Sequence, residues 1–86
     1  MESSHGIDFV YDGGPVGVLD PETLPASDGV VSYMPYRSGS HWALHQAISA
    51  GDAPECTCVK DGVEYSFFVD SCPEYGRLAV RDIRTA

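Results

Sequence analysis

Residues 55–69, Glu-Cys-Thr-Cys-Val-Lys-Asp-Gly-Val-Glu-Tyr-Ser-Phe-Phe-Val, decide the fold. Two runs rich in β-branched and aromatic residues, Glu55 to Lys60 and Val63 to Val69, flank Asp61-Gly62. An Asp-Gly pair accepts the positive φ angles of a two-residue hairpin turn, so the runs are expected to pair antiparallel. The turn also fixes the register, with Lys60 opposite Val63, Cys58 opposite Tyr65 and Cys56 opposite Phe67. Alternate residues of a strand share a face, which puts Cys56, Cys58, Tyr65, Phe67 and Val69 together. That face is apolar and is expected to line the core.

Towards the C-terminus, Ser71-Cys72-Pro73-Glu74-Tyr75-Gly76 reads as a turn. Leu78 and Val80 then alternate with Ala79 and Arg81 in a last strand ending near Ile83. Towards the N-terminus, Ser38 or Ser40 can cap a helix over His41 to Ala50, and Gly51 can close it in a left-handed conformation. At 100° per residue Ala43, Leu44, Ala47 and Ile48 share one stripe, which is expected to pack on a sheet. Trp42, Gln46 and Ser49 fall opposite.

Before the helix, Val30 to Met34 forms a strand that stops at Pro35, preceded by turn chemistry at Ser27-Asp28-Gly29. Asp20-Pro21-Glu22-Thr23-Leu24 is a single helical turn, with Asp20 as cap and Pro25 as terminator. Ile7, Phe9 and Tyr11 alternate with Asp8, Val10 and Asp12; Asp12-Gly13-Gly14-Pro15 breaks the chain, and Val16, Val18 and Leu19 complete a first hairpin. The expected fold is α+β: a small, strongly curved or barrel-like antiparallel sheet of five or six strands, in the order β-β-β-α-β-β-β, with one helix packed on it. Residues 1–86 read as one domain, without repeat or linker.

Composition agrees with a folded domain: 43% of residues are apolar and 21% charged, far from the signature of disorder. No apolar run reaches the roughly 20 residues of a membrane span, and Met-Glu-Ser-Ser-His lacks the basic and apolar regions of a signal peptide. A cytoplasmic location is expected. Cys56, Cys58 and Cys72 are an odd number, as befits reduced thiols.

The formal net charge is −8, and Glu2, Asp8, Asp12, Asp20, Glu22 and Asp28 all precede the first cation, Arg37. Such a surface repels phosphate backbones and anionic lipid, so neither nucleic acid nor membrane is an expected direct partner. It attracts basic protein surfaces. Tyr36, Arg37 and Trp42 add the residue types enriched at interface hot spots, on a loop and on the helix face away from the sheet.

Chemistry has weaker candidates. His41 and His45, one helical turn apart, could join Cys56 and Cys58 in a zinc-stabilised domain, although C-x-C on a strand is not the usual ligand spacing. Ser38, Ser40 and His41 are adjacent, but serines before a helix are accounted for by capping. Cys72 and Arg77 have one residue too few between them for a phosphate loop of the cysteine-phosphatase kind, and Pro73 offers no amide. No catalytic site and no cofactor is expected. The expected function is protein binding: an inhibitor or immunity-type protein that blocks a partner's basic, nucleic-acid-binding surface, as a DNA-mimicking anti-CRISPR or anti-restriction protein would. Asp8, Asp12, Asp20, Glu22, Asp28, Tyr36, Arg37 and Trp42 are the expected partner-binding residues.

Overall fold

A computed structural model describes residues 6–24 and 28–85. The hairpin at Asp61-Gly62 forms as expected: β4 (Glu55–Lys60) and β5 (Val63–Glu74) pair Lys60 with Val63, Cys58 with Tyr65 and Cys56 with Phe67. Asp61 and Gly62 take φ values of 54° and 79°, the left-handed pair such a turn requires. Asp12 and Gly13 repeat this geometry, at 54° and 82°, between β1 (Ile7–Tyr11) and β2 (Gly14–Leu19). The break expected over residues 12–15 is therefore shorter, because two positive-φ residues suffice to reverse the chain and Gly14 and Pro15 already belong to β2.

After β2 the Asp20 carboxylate accepts the Glu22 amide at 3.0 Å and caps a 3-10 turn over Pro21–Thr23. Pro25 and Ser27, expected to end this turn and to open the next, lie outside the described residues, as does Glu2. β3 (Val30–Pro35) then leads into helix α1 (Gly39–Ala50). Ser38 caps the helix by accepting the His41 amide at 3.1 Å, and Gly51 closes it at φ 80°. β5 continues to Glu74 and turns at Tyr75-Gly76 into β6 (Arg77–Thr85). The turn expected over 71–76 contracts because irregularities in the β5–β6 register let Ser71 and Glu74 still pair, with Ala79 and Arg77.

The six strands close into an antiparallel barrel in the order β1-β2-β3-β6-β5-β4. Phe9 and Val10, paired with Cys58 and Thr57, make the closing seam. Closure buries a single core in which Phe9, Val16, Leu19, Val31, Phe67, Val69 and Leu78 are inaccessible to solvent. Two leucines enter from opposite ends. Leu44 comes from α1, which spans the β3-to-β4 connection and packs against β1, β2 and β5; Leu24 comes from the connection between β2 and β3. Lys60 fastens the second plug by donating to the carbonyls of Pro21, at 2.8 Å, and Leu24. The helix stripe falls as the periodicity predicts, with Leu44 buried and Trp42, Gln46 and Ser49 exposed.

Candidate functional site

The candidate face is the outside of β1, β2 and β3. Register places Asp8, Val18 and Met34 in one row across the three strands, because Asp8 pairs with Val18 and Val18 with Met34. Their neighbours Ile7, Leu19 and Tyr33 point inward, so this row points out. Met34 is 72% exposed, an apolar side chain left on a sheet face. Beside the row, Val18, Pro21, Ser32 and Met34 line a shallow groove rimmed by Asp20.

Tyr36 closes the row. Its amide donates to the Val16 carbonyl at 2.9 Å, continuing the β2–β3 ladder past Pro35, and its hydroxyl reaches across β2 to donate to Asp8 Oδ1 at 2.6 Å. The carboxylate bond holds the Tyr36 phenol above its ordinary pKa. Close approach of β2 and β3 makes this reach possible: a Cβ on Gly17 would stand 2.5 Å from the Met34 carbonyl oxygen and 2.9 Å from Pro35 Cα.

Beyond Tyr36 the chain turns into α1, where Tyr36, Arg37, His41 and Trp42 line a second depression. The Ser38 hydroxyl anchors this loop by donating to the Pro15 carbonyl at 3.0 Å. Trp42 is 66% exposed, so it stands as a surface ridge and does not extend the core. Tyr75, 85% exposed at the β5–β6 turn, lies on the same rim. Sequence reasoning passed it over as a turn residue; its neighbour Gly76 brings it here by accepting the Tyr33 amide at 2.9 Å.

The expected acidic residues are exposed, and they separate into two places. Asp20, Glu22 and Asp28 lie at the Leu24 end of the barrel and Asp12 at the α1 end, while Asp8 joins the two through Tyr36. Several also have local work: Asp12 fills the positive-φ turn position, Asp20 caps, and Asp28 accepts the Val30 amide at 3.1 Å.

The structure does not bring the four candidate zinc ligands together. Cys56 and Cys58 face the barrel interior, where burial pushes their thiols up to about 12 and about 11. His41 and His45 meet Tyr33, and among the described residues no three His, Cys, Asp or Glu side chains converge to hold a metal. Two residues apart on an inward-facing strand, the cysteines are held parallel in the core and cannot turn to the helix.

On the far side of the barrel each arginine of β6 sits beside a carboxylate. Arg81 Nε stands 2.7 Å from Asp70 and Arg77 Nε 3.0 Å from Glu74, while Arg84 is 3.4 Å from Glu55. Arg81 and Arg84 also lie 5.3 and 5.4 Å from the Phe68 ring centroid. No family model, no curated protein and no solved structure matches this chain.

Proposed function

We propose that the protein is a blocking module, an inhibitor or immunity-type protein that covers a basic, nucleic-acid-binding surface of a protein partner. The contact face is the outside of β1–β3 and its extension along Tyr36, Arg37, Trp42 and Tyr75. The observation that carries this reading is the segregation of charge. Asp8, Asp12, Asp20, Glu22 and Asp28 are exposed on a half of the chain without a cation before Arg37, whereas the arginines of β6 are matched by carboxylates beside them.

Local geometry supports the inference. A turn position of positive φ, a cap and a turn acceptor each call for a short polar side chain, and asparagine serves these places as well as aspartate. Geometry thus accounts for the residue shape at Asp12, Asp20 and Asp28 but not for its charge. A surface that repels phosphate and presents aromatic side chains beside carboxylates complements lysines and arginines. In its sharpest form the module occupies the groove of a nuclease or another nucleic-acid enzyme by mimicking the charge of DNA.

The test is affinity capture from a lysate of the source cells with elution by a salt gradient. A stoichiometric basic protein released at moderate salt is the expected result, because exposed charge pairs weaken as the Debye length contracts from about 10 Å at 0.1 M to about 3 Å at 1 M. A partner retained unchanged through 1 M salt would overturn the electrostatic reading.

A further inference from the structure

Where α1 meets β3, three titratable side chains share one point. The Tyr33 hydroxyl, on a side chain only 7% exposed, lies 3.1 Å from His45 Nε2 and 3.4 Å from His41 Nε2. The two imidazole rings are 4.5 Å apart between centroids and nearly perpendicular. A phenol has one proton to give. It can donate to one ring nitrogen while the other ring donates to its oxygen, and that arrangement is complete with both rings neutral.

We propose that Tyr33, His41 and His45 form a pH-sensitive latch that holds α1 to β3 when the histidines are neutral and loosens when both are protonated. One added proton leaves the network intact, since the charged ring remains a donor and the neutral ring an acceptor. A second removes the last acceptor nitrogen and sets two like charges side by side in a half-buried place.

Among the described residues neither imidazole forms an ion pair with a carboxylate. α1 and β3 carry no other ionisable side chain, and β2 carries none. β1 contributes Asp8, engaged by Tyr36, and Tyr11. β5 contributes the Cys72 thiol beside Tyr33, together with Asp70 and Glu74 paired to Arg81 and Arg77, and Glu64 and Tyr65 nearer its start; Tyr75 follows in the turn. Burial first, then His45, lowers the His41 pKa, in keeping with this geometry.

The sign follows from linkage. A histidine whose folded pKa is depressed leaves the unfolded segment binding more protons, so stability falls as pH drops below the ordinary histidine value of about 6.5. Trp42 lies between the two histidines on α1, so the latch governs the segment that presents it.

Native-state amide exchange, corrected for the intrinsic effect of pH and followed from pH 7.5 to 5.0, tests the latch. Protection of α1 relative to the β4–β5 amides is expected to fall roughly tenfold for each pH unit below about 6.5. The fall is expected to vanish in a His41→Gln, His45→Gln double variant. Parallel behaviour of α1 and β4–β5 at every pH, or a fall that persists in the double variant, would overturn the proposal. Should that variant not fold, ring titration of the wild type by NMR decides: uptake of the second proton well below pH 6.5 supports the latch, and two independent titrations at the ordinary value contradict it.

Discussion

Before α1, the described residues carry Asp8, Asp12, Asp20, Glu22 and Asp28, with no cation until Arg37; after it, Lys60, Arg77, Arg81 and Arg84 stand among seven carboxylates. In the second half all four cations are occupied: Lys60 by the Pro21 and Leu24 carbonyls and the three arginines by Glu74, Asp70 and Glu55. The contrast teaches that the net charge of −8 is not a uniform coat. Seven carboxylates against four cations leave the later half a net −3, against −6 over the residues before Arg37, so the acidity is concentrated in the first half.

Yet the halves share one core, and the largest effect should cross the boundary between them. Phe67→Ala, on β5, empties a site packed against Phe9 of β1, whose ring centroid is 6.3 Å away. A loss of about 3–5 kcal/mol is expected, with far-UV circular dichroism and Trp42 fluorescence giving one midpoint in denaturant. Separate midpoints would mean that the two regions fold as units.

A change confined to the first half is expected to cost less. Gly17→Ala forces β2 away from the Met34 and Pro35 backbone and should destabilise by roughly 1–3 kcal/mol, while Tyr36 loses its reach to Asp8. Resonances of Asp8 and Tyr36 that stay at their wild-type positions would show that the clasp does not depend on this approach.

The second half makes its own prediction through β4. Burial raises Cys56 to about 12 and Cys58 to about 11, from 9.0. Groups raised in the folded state stabilise fully below the unfolded value and lose that contribution as pH climbs through the folded one. Stability should therefore decline from about pH 9 upward, measured as the denaturant midpoint. At pH 8 a thiol reagent should modify half-exposed Cys72 first and spare the other two until unfolding. Native labelling of all three would refute the enclosed core of β4.

The smallest stability effect is expected for removing charge without changing shape. Asp12→Asn, Asp20→Asn and Asp28→Asn together keep the turn, cap and acceptor geometry and should shift stability by less than about 0.5 kcal/mol per site. Asp20→Ala, which deletes the cap, should cost about 0.5–2 kcal/mol. Equal losses in the alanine and asparagine variants would assign the charge itself a structural role.

Most of the fold was legible because it depends on local chemistry. Asp61-Gly62 carries its register with it, and Ser38 and Gly51 bracket a helix whose apolar stripe needs no partner to be recognised. A curved, barrel-like sheet was expected, but the strands that close it were not legible: the pairing of β1 with β4 rests on Phe9 and Val10 meeting Cys58 and Thr57 across nearly fifty residues, and no single turn encodes it. The candidate site divides in the same way. Exposure of the acids and of Trp42 follows from pattern and helix phase, whereas the Tyr36–Asp8 bond, the place of Tyr75 and the meeting of Tyr33 with two histidines arise only when separate elements are brought together.

The proposed blocking role requires that the charge of the β1–β3 face, beyond its shape, recruits a partner. Capture of partners in parallel on the wild type and on the Asp12→Asn, Asp20→Asn, Asp28→Asn variant, with both eluted through one salt gradient, separates charge from shape. A basic protein is expected to be held by the wild type and released from the variant at distinctly lower salt, with both proteins equally stable. The same protein eluting from both at the same salt would contradict it.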